Sequence, residues 1–305
     1  MKRAGAVIAG IAASTLLMAG CAGGGADAPD DGKITVVAST SVYGQIAEAI
    51  GGDAVEVGSI VTSASQDPHS FEASARDQLT VSRADLVIEN GGGYDAFMVR
   101  LIDASGTTAP VLTAAESSHD WPENEGHDHI EGFNEHVWYD PYTMGHLAQA
   151  IADALTALDP SGADAFAANL QAFSDGIARL EAALADIAVQ HDGVDVFVTE
   201  PVSVSLVEAA GMHNVTPPTF SQAVEEGQDV APATLLQAMR LIETGEVGIV
   251  IANAQAGGAE TTQVLRVAEA QGVAVLEFTE TLPEGQTYLS WMQSNVEALA
   301  DAVAE

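Results

Sequence analysis

The sequence predicts an α/β protein of two lobes. Each lobe is a mainly parallel four-stranded sheet covered by helices, and a long linking helix joins them. Three observations carry this reading. Short β-branched runs alternate with helix-period segments, once in each half of the chain. A sustained apolar stripe at helical spacing separates the two halves. The chain has 305 residues, more than the roughly 100–200 of one ordinary domain.

In the first half, residues 33–40 (KITVVAST) form a β-branched run, and 41–50 take helical spacing. Residues 55–61 read as a second strand, 77–84 as a short helix and 85–89 as a third strand. Gly91-Gly92-Gly93 breaks the chain, 94–102 is helical and 110–113 extended. The second half repeats the logic. Residues 195–198 are a strand, 203–210 a helix and 215–220 extended. Residues 233–246 are helical, 247–252 a strand, 261–271 a helix, 273–278 a strand and 287–303 a closing helix. Between the halves, Met144, Leu147, Ile151, Leu155 and Leu158 keep one apolar face. Asp159-Pro160 stops that helix and caps the next, because Pro suits a first helical position. Phe166, Leu170, Phe173, Ile177, Leu180, Leu184 and Ile187 follow at spacings of four and three. About three heptads without flanking charges fit a long helix packed along both lobes better than a coiled coil. At 1.5 Å per residue, 161–189 would span roughly 40 Å and limit hinge motion. The expected organisation is 33–141 for the first lobe, 142–190 for the linking helices and 191–305 for the second lobe.

Composition narrows the function. Hydrophobic residues make up 47% of the chain and charged residues 17%, enough apolar material for true cores. Nine Lys+Arg stand against 44 Asp+Glu, a net charge of −35. A surface so negative, with no basic stripe, excludes nucleic acid as a partner and favours cations. The acidity also has a plainer reading, the solubility of a secreted protein.

The one cysteine, Cys21, excludes an internal disulfide and a cysteine-based zinc cluster. Lys2 and Arg3 precede an apolar stretch, 4–19, that ends in small residues. This is an export signal, too short and wrongly flanked for a transmembrane helix. Met18-Ala19-Gly20-Cys21 resembles a bacterial lipobox, with Leu17 one place early. The expectation is a signal peptide over 1–20, then a lipidated Cys21 and a tether to residue 32. Acyl chains would hold the protein outside the cytoplasmic membrane.

Four side chains carry the chemistry. His69 follows the second strand, and His136 precedes the linking helices. Glu200 and Glu280 each follow a strand of the second half. Three of the four stand just beyond carboxyl ends of strands, where open α/β sheets bind ligands. Singly, a loop His is ordinarily solvated, and a Glu at a strand end is ordinarily a surface charge or a helix cap. Together, two imidazoles and two carboxylates suit a first-row divalent metal.

The motifs resemble those of the zinc/manganese-class metal-binding lipoproteins of bacterial ABC importers, the cluster A-I solute-binding proteins. Residues 67–72 (DPHSFE) match the family's D-P-H-x-[FY]-E box, and 136–141 (HVWYDP) match H-x-W-x-D-P. The histidine of each box is a metal ligand there. Glu200 falls where zinc-type members have His and manganese-type members Glu. Glu280 falls where the family has Asp, one methylene shorter, which admits monodentate or bidentate ligation. Asn90-Gly91 and Tyr94-Asp95 echo a further shared segment. The resemblance implies a metal site of His69, His136, Glu200 and Glu280 between the lobes. It implies capture of Mn²⁺ or Zn²⁺ as cargo, delivery to a permease and its ATPase, a monomer, and no reaction of the protein's own. Asp67, Asp140 and Asn134 are candidates to orient the imidazoles. Each is equally an ordinary loop cap.

Residues 118–129 (SHDWPENEGHDH) form a polar loop in which His119, His127 and His129 read as an auxiliary metal loop or as plain acidic surface. His146, His191 and His213 are assigned to structure. Two other function classes stay open. A secreted zinc hydrolase needs an open coordination position and a general base, and no H-E-x-x-H occurs. A surface adhesin is the other, although aromatics are only 5% of the chain.

Overall fold

Two parallel sheets, each with helices on both faces, share one central core. The structure, a computed structural model, describes residues 32–63, 65–122 and 132–304. Cys21, His127 and His129 lie outside the described residues, and so do the signal and nearly all of the tether.

The first sheet contains β1 (Ile34–Thr40), β2 (Val55–Val61), β3 (Leu86–Glu89) and β4 (Val111–Thr113), in spatial order β2-β1-β3-β4. Every neighbouring pair is parallel. The helices α1 (Ser41–Gly51), α2 (Ala75–Val81) and α3 (Ala96–Ser105) alternate with these strands. Two connecting helices follow, α4 (Pro141–Leu158) and α5 (Ala163–His191). The second sheet contains β5 (Asp195–Val198), β6 (His213–Asn214), β7 (Ile249–Asn253) and β8 (Ala274–Phe278), in the order β6-β5-β7-β8 and again parallel. Its helices are α6 (Val204–Ala209), α7 (Pro218–Glu225), α8 (Pro232–Glu243), α9 (Ala259–Gln271) and α10 (Tyr288–Ala304).

One expected element differs. Residues 215–220 do not form an extended run. The strand is His213–Asn214, Val215 N–H adds one bond to Val196 (2.9 Å), and Pro218 opens α7. Two prolines cannot donate to a sheet ladder, while Pro at a first helical position gives up only an N–H that has no partner there.

The strands show why two helical layers are needed. Val36, Ala38, Leu86 and Ile88 face the central core, whereas Val37 and Val87 face α2 and α3. In the second sheet Val196, Val198, Ile249 and Ile251 face the central core, and Phe197 and Val250 face α7, α8 and α9. This is the period-two alternation of a sheet buried on both sides. The central core is filled by α1, α4, α5 and α10. On α5 the residues Phe166, Phe173, Ile177, Leu180, Leu184 and Ile187 are buried, and Leu170 is partly buried. On α4 the stripe is buried up to Leu155, while Leu158, at the helix end, is 41% exposed. With 29 residues, α5 is about 44 Å long. It packs on α1 beside the first sheet and on α6 and α10 beside the second.

Polar contacts lock the same seam. The Tyr139 hydroxyl donates to the Thr279 carbonyl (2.6 Å), and the Tyr288 hydroxyl donates to the Trp138 carbonyl (2.9 Å). Tyr288 N–H donates to Gln45 Oε1 (2.7 Å). The carboxyl ends of both sheets are thereby held in fixed relation.

Leu184→Ala, within this seam, is expected to lower stability by about 2–5 kcal/mol. Urea unfolding followed by tryptophan fluorescence checks this. One transition is expected for wild type and variant, because both halves share the core. Two separated transitions would show that the lobes unfold independently.

Candidate metal centre

The sequence folds so that loops at the carboxyl ends of both sheets meet over one cavity of about 480 Å³. His69, His136, Glu200, Glu225 and Glu280 line it, and among the described residues no Lys or Arg does. His69 stands in the loop after β2. Asp67 shapes that loop, accepting from the His69 N–H (2.9 Å) and the Ser70 hydroxyl (2.7 Å). His136 enters a short helical turn, Val137–Tyr139, that leads into α4.

Asn134 fixes the His136 tautomer. Its Nδ2 donates to the Pro201 carbonyl at 2.9 Å, and a carbonyl can only accept. The amide oxygen therefore faces His136 Nδ1, at 2.8 Å, and Nδ1 is the protonated nitrogen. Nε2 is left as a lone pair directed away from Asn134, the arrangement by which an outer group orients a ligating imidazole. Asp140 has another task. It caps α4, accepting from Tyr142 N–H (3.1 Å) and Thr143 N–H (3.2 Å).

The two imidazoles lie with ring centres 5.9 Å apart, and Tyr94 packs edge-on against His69 at 4.9 Å. One potential ligand atom from each of His69, His136 and Glu280 falls within 4.8 Å of the other two. Glu200 lines the same cavity without joining that set. A single amide restrains both carboxylates. Asn253 Nδ2 donates to Glu200 Oε2 (2.8 Å) and to Glu280 Oε2 (3.3 Å). Gln255 Oε1 accepts from the backbone N–H of Glu280 (2.6 Å) and of Thr281 (2.8 Å), pinning the end of the β8 loop. The remaining oxygens, Oε1 of Glu200 and of Glu280, are buried and have no hydrogen-bond partner among the described residues. Buried acceptors left in that state are costly.

The electrostatics follow from this crowding. Burial pushes the Glu200 carboxyl from 4.5 up to about 7, with the charges of Glu280 and Asp67 adding and the Asn253 bond opposing. Burial pushes Glu225 up to about 8, helped by the charges of Glu135, Glu200 and Glu280. Glu280 is also raised by burial, with His69 and a hydrogen bond from Tyr94 pulling it back. Burial, then the neighbouring His69, holds His136 well below the usual imidazole range, so it is neutral at pH 7. A neutral His136 imidazole and crowded carboxyls are what a divalent cation stabilises.

The other histidines lie elsewhere. His119 sits on the surface, 3.3 Å from Asp120, and joins no cluster of three metal-binding side chains among the described residues. His146 bonds the Tyr142 carbonyl of its own helix (3.0 Å), His191 ends α5, and His213 lies 3.6 Å from Asp195. Sequence reasoning passed over Tyr94 as a site residue, and over Asn253, Gln255 and Glu225 altogether. Asn253 and Gln255 stand at the carboxyl end of β7, so the rule that singled out Glu200 reaches them too. Glu225 gives no local signal.

Residues 36–302 match the family model described as ZnuA, zinc-uptake complex component A, periplasmic. The chain belongs to that family. It is the metal-binding, cluster A-I class of ABC-importer solute-binding proteins. A manganese ABC transporter substrate-binding lipoprotein, PsaA of Streptococcus mitis, is 31% identical over 180 residues, covering 55% of this chain and 56% of the relative. The chain thus spans a little over half the length of the curated relatives it matches. A crystal structure of ZnuA superposes with a TM-score of 0.70 at 22% identity, covering 89% of this chain and 98% of the other. A mutant laminin-binding adhesin, Lmb of Streptococcus agalactiae, gives 0.72 at 21% identity, with 88% and 99% covered. These two show the shared ZnuA-family fold, two sheet lobes and a long linking helix.

The raised carboxyls predict how the metal-free protein responds to pH. The folded chain keeps protons on Glu200 and Glu225 that the unfolded chain releases near 4.5. Their contribution to stability is full below about 4.5 and is lost as pH rises through about 7 and 8. Metal-free protein is expected to melt at a higher temperature at about pH 5.5 than at about pH 8.5, and Glu200→Gln should shrink that difference. Thermal scans at the two pH values test this. A metal-free melting temperature that rises with pH would contradict it.

Proposed function

We propose that this protein captures one divalent transition-metal ion outside the cytoplasmic membrane and presents it to an ABC permease driven by a cytoplasmic ATPase. One observation carries the reading: donor atoms of His69, His136 and Glu280 converge within 4.8 Å, in a cavity lined by further carboxylates and, among the described residues, by no Lys or Arg. His69, His136, Glu200 and Glu280 are the proposed ligands, and Glu200 reaches the ion by a small movement of its side chain. Ligands sharing an ion at about 2 Å lie at most ~4 Å apart, so modest closure around the cation suffices. The cation is cargo, held and released unchanged. Four protein donors leave no open position of the kind a hydrolytic metal needs.

Two imidazoles with two carboxylates make a harder donor set than three imidazoles, which favours Mn²⁺ as the ion carried. Zn²⁺ still binds such a site more tightly in vitro, by the general order of divalent affinities. Lipidation at Cys21 is the proposed anchor. No helix among the described residues is long and apolar enough to cross a membrane.

His136→Ala is expected to weaken binding of Mn²⁺ and Zn²⁺ by at least ~100-fold, the loss of a ligand the fold holds in place, while the metal-free melting temperature changes little. Titration calorimetry on the purified protein measures this, and wild-type affinity in the variant would remove His136 from the site. In cells lacking the gene, added Mn²⁺ should restore growth on metal-depleted medium. Rescue by Zn²⁺ alone would reverse the assignment of the cargo. Fractionation of the same strains should find wild type with membranes and Cys21→Ala absent from the lipidated membrane pool.

A further inference from the structure

Glu225 is the last residue of α7 and belongs to none of the boxes that define the site. Its Oε1 is buried and has no hydrogen-bond partner among the described residues. It lies 3.7 Å from His136 Nε2, too far for a hydrogen bond and within the spacing of two atoms that bind one ion. Glu225, Glu135 and His69 form a second group whose potential ligand atoms all lie within 4.8 Å of one another. It shares His69 with the group His69, His136 and Glu280.

The two groups differ in depth. His136 is 1% exposed, whereas the Glu225 side chain is 19% exposed and His69 is exposed. An ion arriving from solvent meets His69 and Glu225 before it meets His136 and Glu280. A hydrated divalent ion sheds its waters reluctantly, and exchange is easier when each lost water is replaced by a protein oxygen in turn. Glu225, the more exposed carboxylate, does this first, and Glu135, 9% exposed, stands at the depth of Glu280 and supplies the next oxygen.

We propose that His69, Glu135 and Glu225 form an outer, transient seat for the incoming divalent cation, which then moves to His69, His136, Glu200 and Glu280 while keeping its bond to His69. This rests on the capture reading above. The step is a ligand exchange: the Glu135 and Glu225 oxygens leave the ion as His136 Nε2 and the inner carboxylates join it. A transient seat speeds both entry and exit, so its loss slows both and leaves the equilibrium nearly unchanged.

Trp138 packs 5.1 Å from His136, so its fluorescence reports arrival of metal. Stopped-flow mixing of the full soluble chain with Mn²⁺ alone, and then Zn²⁺ alone, measures association, and chelator chase measures dissociation. Glu225→Gln should slow both rates about tenfold and keep Kd within about threefold, with Glu135→Gln acting in the same direction. Glu226→Gln is the control. Glu226 lines the same cavity, is exposed and bonds Gln222 and Gln228, so this variant removes one charge and no member of the seat. Its association rate should stay within about threefold of wild type, the share due to general attraction. Equal slowing by Glu225→Gln and Glu226→Gln would overturn the proposal. So would a weaker Kd with unchanged association in Glu225→Gln, since that marks a resident ligand. Wild-type protein that binds neither metal would instead overturn the capture reading itself.

Discussion

Everything at the site depends on the core that the two sheets share. Each sheet presents one face to its own helices and the other to a layer of α1, α4, α5 and α10, whose buried side chains form one cluster with those of both sheets. Burial of this common layer joins the halves as firmly as a domain interior, since interiors pack as densely as organic crystals. Side chains from loops more than a hundred residues apart can then be held at ångström spacing. His69 and Glu280 meet only because β2 and β8 are fixed by the same hydrophobic layer. Tyr139 and Tyr288 add hydrogen bonds across it, but their geometry is itself a product of the packing.

On that frame the chain assembles a cavity it does not neutralise. Among the described residues, Glu200, Glu225 and Glu280 each carry a buried oxygen with no partner, and no Lys or Arg lines the wall. Folding a protein around unpaired carboxyls costs stability, and their raised proton affinity expresses that cost. Asn253 and Gln255 restrain the carboxylates through neutral amides, which orient them without cancelling their charge. Asn134 does the same for His136 from the other side, and its second bond, to the Pro201 carbonyl, ties that imidazole to the opposite lobe. The arrangement is preorganised for a positive charge that the protein does not supply.

A rigid seam has a consequence for the proposed capture. When lobes cannot swing far, access must come from smaller movements at the rim. The rim here is built from the 65–70 loop and the turn after α7, with Gly227 in the left-handed region at φ 63°. Such short loops shift at little cost, while the inner carboxylates stay anchored by the amides of β7 and its following loop.

The sequence by itself determined a great deal. The alternation of β-branched runs with helical spacings gave both sheets, because residues in a doubly buried parallel strand have to be apolar on both faces. The stripe from Phe166 to Ile187 gave the strut, because one face of a 29-residue helix must be apolar to bury it. His69 and His136 stand out in the sequence by their boxes, and Glu200 and Glu280 by their places at strand ends; the fold brings all four to one cavity, with donor atoms of His69, His136 and Glu280 within 4.8 Å of one another. Residues 215–220 misled, because Val215 and Phe220 suit a strand in composition, and only the adjacent prolines decide where the ladder must stop. Tertiary structure alone decided which amides hold which carboxylates, which nitrogen of His136 is free, and that Glu225 stands beside both imidazoles. None of these has a local signature. Asn253 touches residues 53 and 27 positions away, and such contacts exist only once β5, β7 and β8 lie side by side in one sheet, a pairing that the local sequence does not encode.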